Sequence, residues 1–299
     1  MLALGVLHMA FAPQAMARTP RILLVGDSWP FFMVMFDSLN GALDRAGLGQ
    51  YSAIAPGTAL ATSLAEEWAT NQGGKLDTLA NVLARYPTID IVHLSMGGND
   101  TKGRWYPEMT DEEEHALFDE VGGYVHTVIE FILDQRPDIR VAMCSYDYMW
   151  ASRLHDPPRF GDYTPQQMNA SGVRALRRGI ENLHDLGPRV TLINNYGITQ
   201  CKLGDPLADP PYDAGELPCP GGPPDYDPLP GGDPERVSPY EAMLDPNGEG
   251  VHLNQLGYAI LADNCVHQVY KKWIMETMNE VEVTSPNGGE VWTTGSTQT

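Results

Sequence analysis

The run Arg21-Ile22-Leu23-Leu24-Val25 ends abruptly in Gly26-Asp27-Ser28. Four consecutive large aliphatic residues read as a strand buried on both faces. A small residue at its end sets a hydroxyl at the carboxyl edge of the sheet, where open α/β folds place their ligands. Ser28 could act there as a nucleophile, with its own N–H at a helix start that favours anions. The plainer alternative is that Asp27 and Ser28 only cap the next helix. Three further signals occupy comparable places. Gly57 lies in the turn Pro56-Gly57-Thr58 after a second strand, Gly97-Gly98-Asn99-Asp100 ends a third, and Glu249-Gly250-Val251-His252-Leu253-Asn254 stands before the last helix.

The elements that must position these residues are legible in the periodicity. Helical spacing runs from Phe31 to Gly47, from about Ala59 to Trp68, and from Leu76 to Arg85. Tyr51 to Ala55 is a short strand and Asp90 to Met96 another buried one. Asp111 to Glu114 open a long amphipathic helix that ends near Arg136-Pro137, and their carboxylates suit capping better than catalysis. Ile139 to Cys144 and Val190 to Asn194 are further strands, with a helix from Pro165 to Leu186 between them and a closing helix from Gln255 to Met278. Strands alternating with helices predict one domain with a five-stranded parallel sheet in a three-layer α/β/α arrangement. From Cys201 to Gly250 the sequence is rich in Pro, Gly and Asp without periodicity, the mark of a long functional loop or an excursion. Calcium is not expected there, since no Asp-x-Asp-x-Asp-Gly loop occurs.

Composition narrows the function classes. With 299 residues and 42% hydrophobic content the chain can bury a large core. A formal net charge of −20 repels nucleic acid and anionic membrane, so neither is an expected partner. No run after the start is long enough to span a bilayer. The apolar segment 1–17, closing on Ala15-Met16-Ala17, reads as a secretory signal cleaved after Ala17, although it lacks a positively charged beginning. In an exported chain the four cysteines 144, 201, 219 and 265 point to disulfides, with Cys201–Cys219 the preferred pair. Cys144 reads as an inert buried thiol, and no Cys-x-x-Cys or Cys/His cluster points to zinc.

Taken together, the four blocks resemble the SGNH hydrolases, the GDSL family of esterases and lipases, over roughly residues 20–278. That resemblance implies a flavodoxin-like fold and a serine esterase working through an acyl-enzyme without cofactor or metal. It implies Ser28 as nucleophile and His252 as its base, and an oxyanion hole made by the N–H groups of Ser28 and Gly57 and the side chain of Asn99. Turn roles remain the alternative for Gly57 and Asn99. The family carries aspartate three residues before the histidine, where this chain has Glu249. Glu249 is the expected orienting acid, with Asp245 or no carboxylate as the other options. The remaining histidines have plainer explanations: His93 lies in a buried strand, His115, His126, His184 and His267 on helices, His155 in a loop and His8 in the leader. Trp29, Phe31, Tyr146, Tyr148 and Trp150 could line an acyl pocket, but packing serves as well for Phe31, and none of the five is assigned to the site.

The expected organisation is thus a signal at 1–17, a hydrolase domain at 19–279, and at 280–299 the start of a truncated module. Val281-Glu282-Val283-Thr284 and the residues after it resemble the opening strand of Ig-like repeats appended to bacterial secreted proteins. The expected activity is secreted hydrolysis of small-molecule or polysaccharide-linked esters with short acyl chains. A carbohydrate O-acetyl esterase is the alternative within that chemistry, and a non-catalytic polysaccharide- or surface-binding module the alternative outside it.

Overall fold

The computed structural model describes residues 17–149, 164–183, 185–223, 226, 230–246 and 250–279. The expected signal, the expected C-terminal module, Trp150 and Glu249 therefore lie outside the described residues.

Five strands, β1 (Thr19–Gly26), β2 (Tyr51–Ile54), β3 (Ile91–Ser95), β4 (Arg140–Cys144) and β5 (Val190–Ile193), form one parallel sheet in the order β2-β1-β3-β4-β5. This is the flavodoxin-like order of a three-layer α/β/α fold, as expected. Side chains alternate across β1. Ile22 and Leu24 enter one core with α1 (Ser28–Met35), α2 (Ser38–Arg45) and the C-terminal helices. Leu23 and Val25 enter the other with α3 (Ala65–Ala69), α4 (Lys75–Arg85) and α6 (Asp111–Gln135), which follows the short α5 (Gly98–Lys102). The apolar run is thus explained by burial on both sides.

Helix α6 opens with a capping box, Thr110 Oγ1 accepting from the Glu113 N–H and the Glu113 carboxylate from the Thr110 N–H. The buried Glu114 accepts from Trp105 Nε1 and from Arg174 of α7 (Pro165–Asn182), joining the two long helices. The opening carboxylates are therefore structural, as expected.

Four expected boundaries change, each for a local reason. The expected helix Phe31–Gly47 is two helices, because Asp37 adopts a left-handed conformation (φ 52°) between α1 and α2. The first half of the expected helix Ala59–Trp68 is a bridge and a turn: Thr58 Oγ1 donates to the Leu24 carbonyl and Ser63 Oγ to that of Gly26, so the segment is held against β1 and only α3 is helical. The closing helix is interrupted: α9 (Gln255–Cys265) passes through a π turn, Val266–Tyr270, into α10 (Lys271–Asn279). Finally, the Pro/Gly-rich excursion is partly ordered. It begins in α8 (Ile198–Leu203), continues in a ribbon of β6 (Gly204–Asp205) and β7 (Tyr212–Asp213), and carries the expected Cys201–Cys219 disulfide. No helix among the described residues is long and apolar enough to cross a membrane.

Candidate active site

Ser28 is the first residue of α1 and only 7% exposed. Gly26, just before it, has φ +133°, and a Cβ there would stand 1.8 Å from the Ser95 carbonyl oxygen of β3. Only glycine lets β1 turn into α1 so close to its neighbour. Asp27 caps the helix, its Oδ1 accepting from the Trp29 N–H at 3.0 Å, while Oδ2 accepts from the Tyr146 hydroxyl at 2.5 Å. That hydroxyl in turn accepts from the Gly98 N–H at 2.9 Å. Burial pushes the Asp27 carboxyl up to about 6, against the pull of Tyr146, the Trp29 N–H and His252.

His252 reaches Ser28 from the far end of the chain, its Nε2 2.7 Å from Ser28 Oγ. Its backbone is held on both sides. The Leu244 N–H donates to the His252 carbonyl, Met243 and Leu253 form an antiparallel bridge, and the Asn254 N–H donates to the Ala242 carbonyl. Asn254 Oδ1 then caps α9 through the Gly257 N–H. The imidazole lies 4.5 Å from the Phe32 ring, which stacks in turn with Phe36 and Tyr258. This aromatic wall covers one side of the half-buried ring. Asp245, the other carboxylate considered as an orienting acid, is exposed, and its carbonyl accepts from the Gly250 N–H.

Asn99 lies in the first turn of α5, and its Nδ2 donates to the Ser63 carbonyl at 3.1 Å. Ser63 Oγ donates to the Gly26 carbonyl, so Asn99 and the turn before Ser28 share one anchor. Asp100 is buried and accepts from the Ala65 and Glu66 N–H groups, a cap for α3 and not a reacting group.

Pairing passes from Leu23↔Ile54 to Gly26↔Ala59, so five residues on one chain cover three on the other. Gly57 falls in that bulge, exposed and with φ +77°, behind the level of Gly26.

The residues that sequence reasoning left out are Tyr146, Ser63 and Phe32. Tyr146 belonged to an aromatic cluster after β4, but nothing local marked its hydroxyl as the partner of both Asp27 and Gly98. Trp29 packs edge-on against Tyr146, 5.1 Å between centroids, and is buried, whereas Phe31 is 39% exposed. Tyr148 is buried and donates to the Gly231 carbonyl, away from the serine. Beside Gly98 and Tyr146 lies a cavity of about 140 Å³ with a largely apolar wall that includes Met96, Phe118, Val121, Met168 and Leu176.

No protein-family model matches this chain, and no curated protein matches it. Solved structures that resemble it include a family 3 carbohydrate esterase from Clostridium thermocellum, 15% identical with a TM-score of 0.44, covering 86% of this chain and 98% of that one. A carbohydrate esterase family 3 protein from Talaromyces cellulolyticus is 12% identical with a TM-score of 0.48, over 85% of this chain and 98% of that one. The lipase Lip_vut3 from a goat rumen metagenome is 13% identical with a TM-score of 0.47, over 84% and 98%. Likeness at this level decides nothing about chemistry, which rests on the residues themselves.

Proposed function

We propose that this chain is a serine ester hydrolase of the SGNH type, exported by the segment 1–17 and folded as one hydrolase domain over 19–279. The observation that carries the reading is the 2.7 Å contact between Ser28 Oγ and His252 Nε2 at the carboxyl edge of the sheet. In this reading the imidazole takes the serine proton as Oγ attacks the ester carbonyl. The imidazolium then protonates the leaving alcohol, and the neutral ring activates water to release the acyl group.

The oxyanion is held by the Ser28 N–H at the start of α1, by the second hydrogen of Asn99 Nδ2, and by a backbone N–H from the strand beside Ser28. Gly57, in the turn after β2, remains the proposed source of that last donor. The buried Asp27 carboxylate adds a negative field toward the imidazolium. Glu249 remains our proposed orienting acid, on its spacing from His252 alone.

A cavity of about 140 Å³ resembles in volume one that holds benzene, and so fits an acyl group of about six carbons or fewer. The test is hydrolysis of p-nitrophenyl esters from acetate to palmitate, with Ser28→Ala as the blank. Activity should peak at six carbons or below and vanish in the blank. Equal rates in the two proteins would remove the esterase reading and leave a binding module.

A further inference from the structure

A second histidine sits in the middle of the sheet. His93 is central in β3 and 1% exposed, on the face covered by α9 and α10. An imidazole in such a place is costly unless its nitrogens are engaged. Its Nδ1 lies 2.7 Å from the Tyr270 hydroxyl and 3.3 Å from Cys144 Sγ, which is itself 3.4 Å from that hydroxyl. Cys265, the last residue of α9, brings its thiol to the same point, and the ligand atoms of His93, Cys144 and Cys265 all lie within 4.8 Å of one another. All three residues are no more than 2% exposed.

The backbone is shaped around this point. Five residues of α-helix advance by about 500°, which would turn Cys265 and Tyr270 about 140° apart. The π turn Val266–Tyr270 closes i to i+5 instead and returns both to the face that meets the sheet.

Distance and charge then identify a ligand. Zinc–sulfur bonds of about 2.3 Å and zinc–nitrogen bonds of about 2.05 Å at tetrahedral angles separate the S and N atoms by about 3.6 Å and two sulfurs by about 3.8 Å. His93 Nδ1 and Cys144 Sγ, 3.3 Å apart, need to part by only about 0.3 Å, and Cys265 Sγ, within 4.8 Å of both, needs to close by about 1.2 Å at most. Two thiolates also neutralise one divalent ion, so the loaded site carries no net charge in a core where an unbalanced charge would be prohibitive.

We propose that His93 Nδ1, Cys144 Sγ and Cys265 Sγ bind one zinc ion, with the Tyr270 hydroxyl oxygen as a neutral fourth ligand. On binding, two thiol protons leave and Tyr270 exchanges its hydrogen bond to Nδ1 for the metal. All four positions are filled by protein, so the ion joins β3, β4 and the C-terminal helices and does not act on substrate. The proposal stands independently of the esterase reading.

The test is a cobalt titration of the full chain, stripped with a chelator and shown by thiol assay under denaturant to carry two free thiols. We expect one equivalent of Co²⁺ to give tetrahedral d–d bands together with thiolate charge transfer, and one equivalent of Zn²⁺ to bleach them. Cys144→Ser and Cys265→Ser should each weaken binding at least about a hundredfold. Zinc should also raise the melting temperature of the wild-type chain, a readout that needs no variant to fold. Absence of the cobalt spectrum, or a thiol assay showing Cys144 and Cys265 joined as a disulfide, would overturn the site.

Discussion

Two histidines of this chain hold a hydroxyl at the same distance, 2.7 Å, and the similarity ends there. His252 meets Ser28 at the rim of the sheet, half-buried, beside a helix start and next to the buried Asp27. His93 meets Tyr270 in the core, among thiols. A hydrogen-bonded histidine–hydroxyl pair is therefore no signature of catalysis in itself. In the proposed reading, what separates the two is access for a substrate and the presence of groups placed to meet a charge that develops during reaction.

The largest effect should come from cutting the rim pair. Ser28→Ala or His252→Ala should lower kcat for p-nitrophenyl acetate about 10⁴- to 10⁶-fold with little change in the melting temperature. A loss smaller than tenfold would make the rim pair as inert as the core pair. Asn99→Ala should lower kcat about 10²- to 10³-fold while KM stays within a few-fold, since it removes a donor needed only when the oxyanion forms. A change confined to KM would assign Asn99 to substrate binding instead.

Asp27 sharpens the contrast through pH. Its folded pKa of about 6 lies above the ordinary 3.8, so the neutral acid is the form that folding favours. The stability it confers is complete below about pH 4 and lost as pH rises through about 6, a difference of about 3 kcal/mol. Urea unfolding at pH 4 and pH 7 should show Asp27→Asn losing less stability over that interval than wild type. In the core, Tyr270→Phe should cost about 1–1.5 kcal/mol in urea unfolding of chelator-treated protein, the loss of one buried hydrogen bond, since Cys144 Sγ stays 3.3 Å from His93 Nδ1. Gly57→Ala should have the smallest effect, about 1 kcal/mol of stability from its positive φ and less than a threefold change in kcat. A loss of tenfold or more would mean that the oxyanion N–H needs glycine at this turn.

The sheet was legible in the sequence because each strand is an apolar run ended by a small or polar turn, and burial on both faces leaves that mark directly. The rim pair was legible too, through Gly26-Asp27-Ser28 and the block around His252. What escaped depends on register. The two extra residues before Ala59 put Gly57 in a bulge, and no local pattern announces one. The hydroxyls of Thr58 and Ser63 overrode an acceptable helical spacing by bonding to β1. The core cluster was invisible for another reason. Its residues come from β3, β4 and α9, without the close spacing that marks a metal motif, and a π turn completes it.

The clasp around His252 has a consequence for how this protein can be remodelled. The Met243–Leu253 bridge, the Leu244–His252 bond and the Asn254 contacts to Glu241, Ala242 and Met243 fix the histidine relative to residues only a few positions upstream. The base is thus registered locally, and the excursion that leaves α8 enters its alignment only through those few residues. Length can be added at the exposed tip near Leu207, in the turn joining β6 to β7, without re-aiming the imidazole. That tip is a natural port for grafted loops or fused domains.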